Sequence, residues 1–233
     1  MYFNKIFQTN IYFFTLPDKS YRNINRYFAY FYPYKCRSMR KKWRLAVFAS
    51  GSGTNAQNLI EHFNKTFDRE VVLVVTNNPE AFVIERAKKL GVPCRIFDRQ
   101  AFRDGKVLDA LKEVKVDFIV LAGFLWLIPR NILRAYPGKI VNIHPALLPK
   151  YGGKGMYGHH VHKAVIANGE KESGITIHYV NEEYDKGDII FQAKCPVKPD
   201  DTPDTLAQRI HLLEYEYFPK IVEELLDKLG NNG

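Results

Sequence analysis

RLAVFASGSGTNAQNLIEHFNKTFDREVVLVVT, residues 44–76, is the stretch that decides the fold of this chain. Residues 44–49 form a short apolar run, and residues 50–55 (SGSGTN) form a turn of small residues. Apolar side chains then recur at helical spacing over residues 56–67. Residues 70–76 are a continuous β-branched run, which is typical of a strand buried on both faces. The stretch therefore predicts a strand–turn–helix–strand unit with parallel strands.

The same alternation of apolar runs and amphipathic segments continues to residue 143. The pattern predicts three further strands, at residues 93–97, 117–123 and 139–143. It also predicts three further helices, at residues 81–90, 105–114 and 129–135. Fully apolar strands that alternate with helices indicate a mostly parallel sheet covered on both faces.

The pattern changes after residue 170. Residues 174–180 and 188–197 alternate between apolar and polar side chains around a polar turn at residues 181–187, which predicts an antiparallel hairpin. Residues 204–229 then form a long amphipathic helix that closes the chain. The predicted fold class is α/β: a Rossmann-like three-layer sandwich with a mostly parallel sheet, a C-terminal hairpin and a closing helix, in one domain over residues 43–233.

The first 42 residues differ from this domain in charge and composition. They hold nine Lys or Arg against one acidic residue, and 13 of the 32 aromatic residues of the chain. Of the net charge of +9, this segment therefore contributes +8, which leaves +1 for residues 43–233. Because the body lacks a basic excess, nucleic-acid binding by the domain is disfavoured. We expect residues 1–42 to be an extension outside the fold, either disordered or upstream of a native start at Met39.

Cysteine usage and hydropathy favour a cytoplasmic, non-membrane protein. Cys36, Cys94 and Cys195 are far apart and form no CxxC pair, so no disulfide framework is indicated. No apolar run approaches the roughly 20 residues that a membrane-spanning helix needs. The sequence leaves open whether the protein is a monomer or a homodimer.

Two short segments have the composition of a binding or catalytic site. Glycines and exposed amides at the start of a helix, as in residues 51–55, favour an anion such as phosphate, although a simple tight turn is the alternative. Asn142 and His144 come at the end of a strand and point to the same side, where ligands bind in open parallel sheets. An amide donor next to a titratable ring suits carbonyl activation and proton transfer.

The remaining polar clusters are weaker candidates. Asp185 lies in an acid-rich turn that would normally be solvated; if the turn folded back, Asp185 could raise the pKa of His144 and position a water molecule. A metal site is one interpretation of His159, His160 and His162, but no further ligand group has suitable spacing, so no metal is expected.

Taken together, four segments resemble one enzyme family: ASGSGTN at residues 49–55, LAGF at 121–124, NIHPALLPKY at 142–151, and YDKG at 184–187. In this order they are similar to the phosphoribosylglycinamide formyltransferases, and the resemblance spans residues 43–228. It implies transfer of a formyl group from 10-formyltetrahydrofolate, as co-substrate, to the amine of 5-phosphoribosylglycinamide in purine biosynthesis, with small-molecule partners and no metal.

The resemblance also implies a role for individual residues. The catalytic residues would be His144 as acid, Asn142 as the group that polarises the formyl oxygen, and Asp185 as the group that tunes His144. The ribose phosphate and glycinamide would be bound by Gly53, Thr54, Asn55 and Glu214. The folate would be bound by Asn142, Asp185, Arg99, Leu125, Trp126, Leu127, Ile128, Asn181, Glu182, Glu183 and Tyr184.

Two other functions stay open at this point. A formyltetrahydrofolate hydrolase of the same fold would share Asn142, His144 and Asp185, and it would release the folate without an acceptor amine. A non-catalytic nucleotide-binding module would use the glycine-rich turn and would not depend on His144.

Overall fold

The structure is a computed structural model that describes residues 42–231. The expectation for residues 1–42 therefore falls, apart from Lys42, outside the described residues. Within them the chain forms seven strands and seven helices, in this order: β1 (Trp43–Phe48), α1 (Thr54–Phe63), β2 (Arg69–Thr76), α2 (Val83–Lys89), β3 (Cys94–Ile96), α3 (Arg99–Arg103), α4 (Lys106–Glu113), β4 (Phe118–Leu121), α5 (Arg130–Ala135), β5 (Ile140–His144), α6 (His159–Ala167), β6 (Glu172–Tyr179), β7 (Ile189–Pro196) and α7 (Pro203–Asn231).

The strands of the described residues form one sheet in the order β3-β2-β1-β4-β5-β6-β7. β1 pairs in parallel with β2 and β4, β2 with β3, and β4 with β5. β6 is antiparallel to both of its neighbours, β5 and β7. The predicted fold class is therefore confirmed: a mostly parallel sheet ends in an antiparallel hairpin, and a long helix closes the chain.

Helices cover both faces of this sheet, which explains why its central strands are apolar throughout. Buried residues of α1, α2, α6 and α7 form one core cluster with one face of the strands. Buried residues of α3, α4 and α5 form a second cluster with the other face. Successive side chains of a strand such as β4, for example Phe118 and Ile119, enter opposite clusters.

Some predicted boundaries were wrong. The helix predicted over residues 56–67 begins at Thr54 and ends at Phe63, because the Thr66 hydroxyl bonds back to the Phe63 carbonyl at 2.8 Å and offers the backbone an alternative to the helix. The sequence analysis also missed α3 and α6. α6 follows a glycine-rich segment that indicates a loop, and its start at His159 has no side-chain cap.

The closing helix α7 is amphipathic, as predicted, and it runs two residues further than expected. Its buried side chains, among them Ile210, Phe218 and Val222, pack on α1, α6 and β6. None of the helices of residues 42–231 is both long enough and apolar enough to cross a membrane.

Candidate active site

A cleft of about 650 Å³ lies at the carboxyl ends of β1, β4 and β5. Its walls are the segments that follow these three strands, together with the glycine-rich loop before α6, the turn between β6 and β7, and two residues of α7. Ligands of open parallel sheets bind at this edge, beyond the strand ends. The position of the cleft therefore agrees with the edge that the sequence pattern indicated.

Asn142 lies near the end of β5, and its amide is oriented by a histidine of the neighbouring strand. Strand pairing places it opposite His178, and its Nδ2 lies 3.1 Å from His178 Nε2. His178 Nδ1 is 2.8 Å from the Tyr179 carbonyl oxygen, which only accepts, so Nδ1 carries the proton and Nε2 accepts from Asn142. Asn142 Nδ2 also donates to Asp185 Oδ1 over a long distance of 3.5 Å, and Asn142 lines the cleft.

His144 ends β5 and is only 3% exposed. Its Nε2 lies 2.7 Å from the Tyr151 carbonyl oxygen, so Nε2 carries a proton, and its Nδ1 lies 3.6 Å from Asp185 Oδ2. Burial lowers the pKa of His144, whereas Asp185 and the Tyr151 carbonyl raise it. The expected contribution of Asp185 thus has the right sign, but the pKa of His144 is lowered overall because burial outweighs it.

Asp185 reaches His144 because the turn between β6 and β7 folds back over the strand ends. Gly187 permits this path, since a Cβ there would lie 1.7 Å from the Tyr179 carbonyl oxygen. The Asp185 carboxylate accepts from the Gly153 N–H at 2.9 Å. Burial raises the pKa of Asp185, but its contacts with His178, His144 and that N–H outweigh burial and lower the pKa. Asp185 is therefore a stable anion beside the His144 ring.

The glycine-rich turn after β1 leads directly into α1. Gly53 has a φ of 73°, and a Cβ there would lie 2.4 Å from Val83 Cγ2, so the turn requires glycine. No side chain caps the helix, and Gly53, Thr54 and Asn55 all line the cleft. Uncapped amides at the start of a helix of ten residues favour an anion.

At the same end of the cleft, α7 presents an acid–base pair. Glu214 is only 5% exposed, and its Oε2 accepts from Asn55 Nδ2 at 2.9 Å and contacts His211 Nδ1 at 2.8 Å. The bond to Glu214 raises the pKa of His211. The carboxylate thus faces the cleft with fixed partners, an arrangement suited to an amine or amide group of a ligand.

The opposite wall is flat and largely apolar. The Arg99 guanidinium lies over the Trp126 ring, 4.7 Å from the ring centroid, and Leu125 is partly exposed beside it. The Leu125 N–H donates to Ser50 Oγ at 3.0 Å, which ties this wall to the glycine-rich turn. Stacked aromatic and guanidinium planes beside an aliphatic side chain suit a flat heterocycle.

The structure places some predicted folate-binding residues away from the cleft. Arg99, Leu125, Trp126 and Tyr184 line it, with Asn142 and Asp185, whereas five others do not: Leu127, Ile128, Asn181, Glu182 and Glu183. Of these, Ile128 is buried in the core, and the Glu182 carboxylate is paired with an arginine of α5. A role for these five residues stays a prediction.

Sequence reasoning missed several side chains of the site: His162, His178, His211, Met156 and Tyr157. Periodicity along α7 could have found His211, which lies three residues before Glu214 and so shares its helix face. The role of His178 depends on strand pairing with β5, which no local pattern shows. In the part of the chain that the structure describes, no group of three or more His, Cys, Asp or Glu side chains could hold a metal ion.

The fold and the cleft together define the class of protein. Residues 43–222 match the formyl transferase family, and the chain therefore belongs to this family. A parallel sheet with an amide, a histidine and an aspartate at the end of β5 is consistent with that chemistry.

Within this class the chain is similar to phosphoribosylglycinamide formyltransferases, as the motifs predicted. The chloroplastic enzyme of Arabidopsis thaliana is 40% identical over 195 residues, which cover 81% of this chain and 67% of that protein. The Bacillus subtilis enzyme is 37% identical over 196 residues, which cover 82% of this chain and 97% of that protein. The crystal structure of the Bacillus halodurans enzyme has a TM-score of 0.73 at 38% identity and covers 80% of this chain and 96% of that one.

Proposed function

We propose that this chain transfers a formyl group from 10-formyltetrahydrofolate to the amine of 5-phosphoribosylglycinamide, a step of purine biosynthesis. One observation supports this most directly: Asn142, His144 and Asp185 converge in one cleft of about 650 Å³ that also holds the glycine-rich turn after β1 and the apolar wall after β4. Acyl transfer needs a hydrogen-bond donor that stabilises the oxyanion, a proton donor and room for two substrates, and the cleft offers all three.

The two ends of the cleft suit the two substrates. The ribose phosphate would bind to the amides of Gly53 and Thr54 at the start of α1, where the helix dipole favours an anion. The glycinamide end would lie near Asn55 and Glu214, which are already joined by a hydrogen bond of 2.9 Å. The folate ring would lie against Trp126, and its formyl group would then project toward β5.

The chemistry follows from the groups on β5. The glycinamide nitrogen attacks the formyl carbon, and the carbonyl oxygen becomes an oxyanion. Asn142 donates to this oxygen the N–H that otherwise makes only the long contact with Asp185, because its other N–H is held by His178. The amide is fixed before the reaction, so it stabilises the developing charge without reorganisation.

Proton transfer is the task of His144 and Asp185. Protonated His144 donates from Nδ1 to the folate nitrogen as the bond between that nitrogen and the formyl carbon breaks. The amine loses one proton, which returns to His144 through water next to Asp185, so the cycle closes. Burial lowers the pKa of His144, which makes the ring a stronger acid once it is protonated. Asp185 keeps the imidazolium accessible by its charge, 3.6 Å from Nδ1.

The test is formyl transfer by the full chain, measured as tetrahydrofolate release with and without 5-phosphoribosylglycinamide. Release that requires the acceptor is expected. Release without it would instead indicate the hydrolase, and folate binding without release would indicate a binding module.

Asn142→Ala and His144→Ala test the roles of these two residues. Each variant is expected to fold normally and to have a kcat about 10²–10³-fold lower, the usual effect of removing a hydrogen-bond donor to the oxyanion. Asn64→Ala, at an exposed asparagine after α1, is the matched control and should keep full activity. Near-wild-type turnover in either site variant would contradict the assignment.

The finer expectations on location and assembly also belong to this proposal. We infer a cytoplasmic protein that acts on small molecules as a monomer or a homodimer. Fractionation of the source cells and sedimentation of the purified chain would test these two statements separately.

A further inference from the structure

His144 is held by a backbone carbonyl that itself has an unusual conformation. The carbonyl belongs to Tyr151, whose φ is 57°, in the left-handed region. A non-glycine residue in this region is strained, so its surroundings must hold it there. The orientation of the His144 partner therefore depends on what fixes Tyr151.

The Tyr151 side chain is fixed by a hydrogen bond to Glu170, which lies just beyond the C-terminal end of α6. Its hydroxyl donates to Glu170 Oε1 at 2.9 Å, and Lys150 Nζ donates to both oxygens of the same carboxylate at 2.9 and 3.3 Å. The Glu170 backbone N–H bonds to the Val165 carbonyl at 3.3 Å, which ties the carboxylate to the helix. The ring of Tyr151 also packs against the core.

The segment between Tyr151 and Glu170 forms one wall of the cleft. It contains the glycine-rich loop of residues 153–158 and α6, and both contribute to the lining. The hydrogen bond between Tyr151 and Glu170 therefore joins the two ends of the segment that forms this wall. The same hydrogen bond links the position of the wall to the Tyr151 carbonyl, which contacts His144.

We propose that Tyr151 and Glu170 are positioning residues for the formyl transfer proposed above, and that their side-chain hydrogen bond holds the Tyr151 carbonyl on His144 Nε2. With Nε2 held in this way, Nδ1 is the nitrogen that faces Asp185 and the cleft. Without the hydrogen bond, the carbonyl can leave, and the His144 ring can exchange its tautomer and rotate. Lys150 supports the arrangement by orienting the Glu170 carboxylate.

The hydrogen bond should also set the pH range of the reaction. His144 faces the charged or titratable groups of Asp185, His178, Glu214 and His162, and the Tyr151 carbonyl adds a bond that favours the protonated ring. Loss of that bond lowers the pKa of His144. Because His144 must be protonated to act as the acid, the alkaline limb of kcat should then move to lower pH.

The experiment compares four single variants of the full chain, and the double variant Tyr151→Phe/Glu170→Ala, with the wild type. Tyr151→Phe and Glu170→Ala remove the hydrogen bond, and each should lower kcat by roughly tenfold, the equivalent of one good hydrogen bond. Glu170→Gln keeps an acceptor oxygen for the hydroxyl and should restore most of the rate. Lys194→Met breaks a surface ion pair with Glu172 and is the matched control.

The readouts separate positioning from a merely structural role. We expect both KM values to change little, the alkaline limb to move to lower pH in Tyr151→Phe and Glu170→Ala, and the double variant to be no slower than either single variant. An unchanged kcat and pH profile in Tyr151→Phe would overturn the proposal, as would additive losses in the double variant. If Glu170→Ala unfolds, the test is the comparison of kcat and pH profile between Glu170→Gln and Tyr151→Phe. Absence of transfer in the wild type would refute the proposed function instead.

Discussion

The buried histidine of α6, His162, should make the folded protein sensitive to acid. It is 2% exposed, its Nδ1 has no hydrogen-bond partner among the described residues, and its pKa is lowered from 6.5 to about 4, mainly by burial. Nearby histidines contribute to this lowering, and Glu214 opposes it. Because the unfolded chain takes up the proton first, the free energy of unfolding is highest above pH 6.5 and falls as the pH drops toward about 4.

The size of this effect follows from the shift in pKa. A shift from 6.5 to about 4 corresponds to about 3 kcal/mol, since each unit is worth 1.36 kcal/mol. The assay is urea unfolding of the wild type and His162→Gln at several pH values between 7.5 and 4. The difference between the two free energies of unfolding should shift by about 3 kcal/mol across this range. The comparison cancels the titration of His144, whose pKa is also lowered.

His160→Gln is the control for this prediction, because His160 lies on the same helix and is exposed. This variant removes an imidazole from the same helix without emptying a buried position. If the difference between the wild type and His162→Gln stayed constant between pH 7.5 and 4, the ring would not be buried in its unprotonated form. The description of this side of the cleft would then be wrong.

Two further predictions concern the framework of the site. Gly53→Ala should lower the free energy of unfolding by about 2 kcal/mol, because it combines a positive φ with a clash against Val83. A Cβ at Gly51 meets open space, so Gly51→Ala should change the free energy of unfolding little, and chemical unfolding of both variants is the check. Arg69→Met removes a buried guanidinium from two acidic side chains of α7. Because those carboxylates are partly exposed, the free energy of unfolding should fall by only about 1–3 kcal/mol. A lower Tm is expected, and an unchanged Tm would contradict the prediction.

Most of the fold could be predicted because its signals are local. β2 is a β-branched run between a charged residue and the Asn77–Asn78–Pro79 break, and such a run fits a strand covered on both faces. The hairpin was indicated by alternation over β6 and β7: Ile175 and Ile177 of β6 enter the core cluster to which α7 contributes, and the polar Thr176 and His178 alternate with them. Burial pattern and chain direction agree in these elements, so composition and periodicity were sufficient.

The site could be predicted only where residue type and position coincide. Asn142 and His144 share a face at a strand end, which alternation alone indicates. His178 could not be found in this way, because its contact with Asn142 arises from antiparallel pairing of β6 with β5. The direction of the pKa shift of His144 could not be predicted either, because it depends on whether the effect of burial exceeds the opposite effect of Asp185.

The order of the strands explains why one cleft can serve two substrates. The glycine-rich turn follows β1, the apolar wall follows β4, and Asn142 and His144 lie on β5; these three strands are neighbours. Strands are spaced by about 4.8 Å, so the turn and the catalytic residues lie about 10 Å apart along this edge of the sheet. A phosphorylated ribose with a short amide arm can span such a distance. The apolar wall after β4 lies between them, so in the proposed mechanism a formyl group presented from there would meet the amine at Asn142.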